Sequence, residues 1–250
     1  VTDQVANFDA FTTIDVPSAN ISTFRLDDTA IDKVSSFAHV EKIAPVTNLA
    51  GRIKKSESAS TAETIIIGAD QDYWKIAEVI SDSAGKMPEA KDEVSLNKAA
   101  LTLIGESGDN VIGKTIDLDI IVPAEFRENP ADGMKVASQV PLKIVGVLSD
   151  NKSPAVYTTS SFLKSQGVAK YSLLKLKVDD KDDVEIVRKQ LENIGFSTEY
   201  VGDTVNEISQ VFSLFRVILA AFGSIALIVA ALGTFNTLTI SLLERIREIG

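Results

Sequence analysis

The stretch Gly108-Asp-Asn-Val-Ile-Gly-Lys-Thr115 has the spacing G-x-x-x-x-G-K-[ST], whose chemistry is the cradling of nucleotide phosphates. That chemistry needs a buried strand before the loop and a helix opening at the Lys-Thr pair. The first-turn N–H groups and the positive dipole end then face the phosphates. The residues after Lys114 read Thr-Ile-Asp-Leu-Asp-Ile-Ile-Val122, an apolar/polar alternation rich in β-branched side chains and closed by Pro123. The alternation predicts a strand, which leaves Lys114 beside a turn with no free helical N–H groups. Asp150, which follows the apolar run 142–148, could pass for a magnesium-holding aspartate, but the crossover helix that joins parallel strands is missing. The motif reads as a Gly-rich turn between two sheet segments, and no nucleotide is expected on it.

The other reactive residue types are scarce. Without cysteine there are no disulfides, thiolate metal sites or cysteine nucleophiles, and a single His39 is too few for a multi-histidine metal site. His39 follows the helical pattern Ile31, Val34, Phe37 and reads as a packed or surface histidine. The run Asp179-Asp-Lys-Asp-Asp183 offers carboxylates to calcium but lacks the glycine and terminal Glu of an EF-hand loop, so it reads as a capped helix start. Tyr73 and Trp74 follow Gly68-Ala-Asp70 in an expected loop. They suit a core or subdomain hinge, with ligand contact as the alternative. No G-x-S-x-G nucleophile motif occurs. No catalytic, cofactor-binding or metal-ligating residue is therefore expected. The net charge of −10, from 35 acidic and 25 basic residues, argues against nucleic acid as a partner.

The elements that carry these residues follow from periodicity. Residues 11–16 and 21–26 read as strands, and Asp27-Asp28 can cap a helix bearing Ile31, Val34 and Phe37. Strands at 40–49 and 64–68 flank a charged, Ser-rich loop at 54–61. Further on, 171–178 alternates as a strand, Val184, Val187, Leu191 and Ile194 mark a helix closed by Gly195, and 197–201 reads as a strand. Two β-α-β units at the ends of this region can share one sheet in a ferredoxin-like arrangement, with a strand-rich segment at about 69–153 inserted between them. The expected fold class is α+β, followed by one transmembrane α-helix.

That helix rests on charge distribution. No Asp, Glu, Lys or Arg occurs between Arg216 and Glu244, and the 27 residues 217–243 span about 40 Å as a helix. A hydrocarbon core of about 30 Å is crossed by that length with some tilt, so the lipid bilayer is the expected partner. Ala226, Ala230 and Thr234 recur at four-residue spacing, with Gly233 and Asn236 beside them, a face suited to another transmembrane helix. Arg245 and Arg247 just past the span predict a cytoplasmic C-terminal end, which puts the large region before Arg216 outside the cytoplasm. The opening at Val1, with neither Met nor a leader pattern, leads to the expectation of a further span upstream.

At Phe235-Asn-Thr-Leu-Thr-Ile-Ser-Leu-Leu-Glu-Arg-Ile-Arg-Glu-Ile-Gly250 the chain resembles the MacB/FtsX-type permeases of ABC transporters, and the ending ERIREIG is specific to them. Thr64-Ile-Ile-Ile-Gly-Ala-Asp-Gln-Asp-Tyr73, Val111-Ile-Gly-Lys-Thr-Ile116 and Leu142-Lys-Ile-Val-Gly-Val-Leu148 resemble the family's extracytoplasmic domain, in that order. The resemblance implies an extracytoplasmic domain at 1–205. Its porter-like subdomain would take 11–68 and 154–203, and its inserted β-rich subdomain 69–153. A membrane helix and the start of a cytoplasmic coupling segment would follow in 206–250. It implies a cell (inner) membrane protein that works as a homodimer or heterodimer beside an ABC ATPase subunit or domain, which would carry ATP and magnesium, with an extracytoplasmic adaptor as a further partner. Glu244, Arg245, Arg247, Glu248, Ile249 and Gly250 would form the coupling segment. ATP hydrolysis would move the extracytoplasmic domains to export or extract an antimicrobial, peptide, lipid or lipoprotein.

Two rivals remain open at this level: a membrane-anchored extracytoplasmic binding or sensing module without transport, which has no need of the ERIREIG ending, and an extracytoplasmic enzyme. The topology is directly testable because the chain has no cysteine. A cysteine at Gly250 is expected to resist membrane-impermeant labelling in intact cells, and one at Ser56 to label readily. The reverse pattern would sink the orientation.

Overall fold

In a computed structural model that describes residues 10–18, 25–55, 61–77, 79, 84–150 and 152–249, the chain divides into two compact units, one ending at Val201 and one starting at Gly202. In the first unit, strand β1 (Thr13–Pro17) buries Ile14 and Val16 at alternate positions. Helix α1 (Asp28–Ser35) starts where the Asp27 carboxylate accepts the Ala30 N–H at 3.1 Å, and it buries Ala30 and Val34. Strand β2 (Val40–Lys55) and strand β3 (Thr61–Ala69) follow, then the short helix α2 (Gln71–Ile76) and strands β4 (Ala84–Gly85) and β5 (Glu93–Asn97). Helix α3 (Lys98–Leu103) is capped by buried Asn97, whose carbonyl accepts the N–H groups of Ala100 and Ala155, both at 3.0 Å, while its amide donates to the Ser153 carbonyl at 2.6 Å. Satisfying both ends of this amide ties β5 and α3 to the strand that begins at Ala155.

Strand β6 (Thr115–Val122) buries every second residue, Ile116, Leu118, Ile120 and Val122. Strand β7 (Lys135–Leu148), strand β8 (Ala155–Thr158) and helix α4 (Ser160–Ser165) come next, with α4 capped by Thr159. Strand β9 (Leu173–Val178), helix α5 (Val184–Asn193) and strand β10 (Glu199–Tyr200) complete the unit, and Val201 opens the long helix α6 (Val201–Ile249).

The strands pair as two connected bodies. One is an antiparallel sheet in the order β10-β1-β9-β2, with α1 joining β1 to β2 and α5 joining β9 to β10. The other is a closed ring, in which β2 pairs β3, β3 pairs β8, β8 pairs β5, β5 pairs β7, β7 pairs β6 and β6 returns to β2. Closure removes free edges from the paired segments. The largest core cluster takes residues from all six ring strands, among them Ile53, Ile66, Leu96, Ile116, Leu142 and Val156, and adds Leu101 of α3 and Leu163 of α4. Each such side chain contributes about 1.5–3 kcal/mol on leaving water. A second cluster lies where α1 and α5 pack on the sheet, around Ile14, Val34, Leu174, Leu176, Val187 and Leu191.

Strand β2 belongs to both bodies. Residues 40–46 pair with β9, 46–54 with β3, and 51–55 with β6. Gly51 is the first β2 residue to meet β6, and a Cβ there would stand 2.7 Å from the Asp119 carbonyl oxygen and 2.3 Å from the Ile66 Cδ1. The crossing from one partner to the other thus requires a residue without a side chain.

Several sequence expectations shift. Strands β2 and β3 extend well beyond 40–49 and 64–68 because each is held on both edges for part of its length. Of the loop expected at 54–61, residues 54, 55 and 61 lie in these strands, and residues 56–60, with Ser56 among them, lie outside the described residues. Of the strand expected at 21–26, residues 21–24 are also outside them, and Leu26 is not in a strand although its carbonyl accepts the Tyr171 N–H at 2.8 Å. The strand at 197–201 shortens to Glu199–Tyr200, since Val201 already belongs to α6. Gly51→Ala should destabilise the chain by about 1–3 kcal/mol, the range for overpacking a filled site. Thermal unfolding of the full chain in detergent checks this, and unchanged stability would show that β2 and β6 can separate at this point without loss.

Candidate functional site

The Gly-Lys-Thr turn feeds strand β6. Gly108 and Gly113 hold φ of 77° and 91°, the Gly113 N–H donates to the Ile144 carbonyl at 2.8 Å, and the Lys114 N–H donates to the Val111 carbonyl at 3.0 Å. These amides serve the ring, and the Lys114 ammonium lies 3.3 Å from Glu106. His39, at φ 69°, places Nδ1 3.0 Å from the Asp183 carboxylate. Within the acidic run, Asp180 caps a 3-10 turn at Lys181–Asp183 by accepting the Asp182 N–H at 2.9 Å. The cap therefore sits one turn earlier than α5 itself. Among the described residues, no three or more His, Asp or Glu side chains form a group that could hold a metal ion.

Tyr73 and Trp74 lie in helix α2, not in the loop expected for them. Apolar burial decides this: Trp74 is fully enclosed among Val46, Ala69, Met87, Leu148 and Tyr157. Its ring meets Tyr73 and Tyr157 edge-on at 5.2 and 5.7 Å. Burial raises the Tyr157 hydroxyl to about 12, with the Asp150 charge adding to the shift.

Helix α6 has 49 residues, about 75 Å at roughly 1.5 Å per residue, far more than the 27-residue uncharged span. It is a candidate transmembrane helix over Val201–Leu243. Leu219, Phe222, Leu227, Val229 and Phe235 are all exposed, which gives it apolar side chains on every face, a pattern suited to lipid. Before the span, Val201, Val205, Ile208, Phe212 and Phe215 recur at alternating spacings of four and three, which sets them along one stripe of the helix. Ala226, Ala230, Gly233, Thr234 and Asn236 are exposed, and the Thr234 and Thr237 hydroxyls donate back to the Ala230 and Gly233 carbonyls at 3.0 Å each. The helix continues through Glu244, Arg245, Arg247, Glu248 and Ile249, and Gly250 lies outside the described residues.

Residues 1–194 match the family model of the MacB-like periplasmic core domain. The chain belongs to that family. It is 25% identical over 260 residues to a macrolide export ATP-binding/permease protein, MacB 1/2, of Paracoccus denitrificans, an alignment covering 94% of this chain and 35% of that protein. It is 23% identical to the ABC transporter permease YtrF of Bacillus subtilis, over 80% of this chain and 46% of the relative. The chain thus spans about a third of the length of the Paracoccus relative. Its fold resembles the crystal structure of the periplasmic region of MacB from Actinobacillus actinomycetemcomitans, with a TM-score of 0.59 at 15% identity, covering 80% of this chain and 92% of that one. It also resembles the extracellular domain of the transporter YknZ from Gram-positive bacteria, with a TM-score of 0.54 at 14% identity, covering 76% and 99%.

In this MacB-like domain one polar cluster joins parts of the chain that sequence reading did not connect. The Lys164 ammonium of α4 donates to both Asp28 oxygens, at 2.8 and 2.9 Å, and the Tyr171 hydroxyl donates to Asp28 Oδ1 at 2.6 Å. Asp28 starts α1, so the cluster clamps a helix of the open sheet to a helix packed on the ring. Lys164 also lies 5.5 Å from the centre of the Tyr171 ring. No spacing rule finds contacts between residues more than a hundred positions apart. The bond from Lys164, then that from Tyr171, holds the Asp28 carboxyl below its ordinary 3.8. Burial pulls Lys164 down, but the bonds to Asp28 and Tyr171 outweigh it and the net shift is upward.

A carboxyl depressed in the folded state stabilises fully above its unfolded value and loses that contribution as pH falls through the folded one. Asp28→Asn should therefore cost about 0.5–1 kcal/mol at neutral pH, a modest figure because Asp28 is largely exposed. The gap from wild type should close as pH drops below 3.8. Thermal unfolding across that range checks it, and a gap independent of pH would rule out the clamp.

Proposed function

We propose that this chain provides the extracytoplasmic domain and the following membrane helix of a MacB/FtsX-type permease that couples cytoplasmic ATP hydrolysis to motion of its extracytoplasmic domain, for export or extraction of a substrate. The observation that carries this reading is the order of parts: a MacB-like periplasmic core over residues 1–194, then one long apolar helix followed by the charged segment 244–250, with two arginines and two glutamates. The open sheet is read as a ferredoxin-like, porter-type subdomain. Its support is the antiparallel order β10-β1-β9-β2 with a helical crossover in each β-α-β unit. The ring is read as the β-rich subdomain; it takes in the second half of β2, β3 and β8 as well as strands of the expected insertion at 69–153, because β3 and β8 pair across that insertion's two ends. Arg245 and Arg247 favour a cytoplasmic C-terminal end.

ATP and magnesium belong, in this reading, to an ATPase subunit or domain, as the name of the Paracoccus relative suggests. The stripe from Val201 to Phe215 favours a permease dimer, because an apolar face outside the uncharged span gains stability when another helix covers it. In the membrane, Ala226, Ala230, Gly233, Thr234 and Asn236 would form the packing face. The segment Glu244, Arg245, Arg247, Glu248, Ile249 and Gly250 would meet the ATPase. With the helix continuing, Arg245 and Glu248 stand three residues apart, where an ion pair contributes only about 0.2–0.5 kcal/mol. Such a pair suits orientation of the chain better than stability.

In the assembled transporter, Arg245→Ala combined with Glu248→Ala should leave membrane insertion and abundance near wild type. It should also abolish transport, or the dependence of ATPase turnover on the permease. Normal transport by the double variant would refute the coupling role, and loss of the protein from the membrane would assign the segment a structural one.

A further inference from the structure

The outer face of the ring carries an apolar row that crosses four strands. Ile65 of β3 stands opposite Ala50 of β2, and Ile121 of β6 stands opposite Val136 of β7. Gly51 pairs with Ile120, which brings Ala50 and Ile121 side by side, and both line one cleft with Ile65. These positions alternate with the buried Gly51, Ile66 and Ile120, so their side chains leave the core side of the sheet. Ile65 and Val136 are 46% and 52% exposed. Because Ala50 is small and sits between two isoleucines, the row has a recess, a cleft of about 440 Å³ that Ser153 and Pro154 also line. That volume lies within the roughly 300–1,000 Å³ of pockets that take ligands.

The next row on the same face is charged. Glu63 of β3 and Asp119 of β6 stand on either side of Arg52 of β2, in the order acid, base, acid. The Arg52 guanidinium lies 3.4 Å from Glu63, whose side chain is 84% exposed, and Asp119 accepts the Gln139 N–H at 2.7 Å. Apolar residues exposed singly need no explanation, but a contiguous row rimmed by polar groups marks an interaction surface.

We propose that this row is the docking site of an amphipathic helix from a partner protein. The helix would lie across the strands, with one line of aliphatic side chains on Ile65, Ala50, Ile121 and Val136 and a basic, acidic, basic line over Glu63, Arg52 and Asp119. The dimensions favour a helix. From β3 to β7 the row takes three inter-strand steps of roughly 4.8 Å, about 14 Å in all. About nine or ten helical residues cover that length, and a turn of about 5.4 Å nearly matches one strand step, so helix residues three and four apart fall on successive strands. The row is one residue wide, since positions two apart on a strand are separated by about 6.6 Å and those on one side are charged. A second sheet would need a broader apolar face to pack on it. An anionic lipid surface would be repelled by the surplus carboxylate. The surface does not depend on the transport reading.

The test uses the full chain in phosphatidylcholine nanodiscs and two fluorescent helical peptides with leucines spaced three and four apart. One peptide carries Lys-Glu-Lys along the flank of that stripe and the other Glu-Lys-Glu, and empty discs give the lipid background. Fluorescence anisotropy should show saturable binding of the first peptide, about tenfold tighter than of the second. Ile65→Ser and Ile121→Ser should each weaken it about tenfold, through loss of one apolar contact. Ile186→Ser, at an equally exposed position on α5, should bind as wild type does. Glu63→Lys, at a position exposed enough to leave folding intact, should remove the preference between the peptides. A polarity-sensitive dye on Ile65→Cys, in a chain that has no cysteine of its own, separates the other occupants. Its emission should shift to the blue only when the first peptide is added. A shift on transfer from detergent to discs without peptide would give the row to lipid, and one that grows with protein concentration would give it to a second copy. Either overturns the proposal, as would binding no greater than to empty discs, equal affinity for both peptides, or wild-type affinity in both isoleucine variants.

Discussion

The fold of the first unit hangs on one strand that serves two sheets. Strand β2 is bonded to β9 over residues 40–46 and to β6 over residues 51–55, and β3 runs along its other edge between them. A strand has only two edges, so the exchange of β9 for β6 must happen within a few residues, and Gly51 stands at that exchange because the Asp119 carbonyl leaves no room for a Cβ. If β2 failed to turn, the ring would lose its closure and the open sheet an outer strand together. The two bodies are therefore coupled through covalent backbone as well as through side chains. Strain applied to one reaches the other along a continuous ladder.

Polar contacts fix the arrangement within the ring and between the ring and the open sheet. Asn97 is fully buried, yet both its carbonyl and its amide are satisfied, so it fixes β5, α3 and the start of β8 in one arrangement. Asp28, Lys164 and Tyr171 do the same at the surface with charge, where water weakens the interaction. The contrast is one of dielectric: an enclosed amide is costly to break, while a largely exposed clamp can open at small cost.

Helix α6, the candidate transmembrane helix, follows a different pattern. Within the first unit, apolar side chains sit on one stripe of each helix, as Val184, Val187 and Leu191 do on α5. Along residues 217–243 they occur all round. A hydrocarbon environment removes the need for a polar face, and the hydroxyls of Ser224, Thr234, Thr237 and Thr239 turn back to carbonyls of their own helix.

Much of this was legible in the amino-acid sequence because it depends on local periodicity and on charge. The apolar span, the strand after Lys114, the Asp27 cap of α1 and the helix ended by Gly195 are each decided by a few consecutive residues, whose spacing reports which side meets water. The ERIREIG ending placed the chain beside MacB-like permeases, and the match over residues 1–194 agrees with it. The closed ring was not legible, since the pairing of β6 with β2, or of β3 with β8, joins segments far apart in the chain and leaves no mark on either alone. Nor were the helix around Trp74, the Asp28 clamp or the row from Ile65 to Val136. A side chain in an alternating strand reads only as lying on one face or the other, and register alone, set by the packing of the whole sheet, decides what stands opposite it.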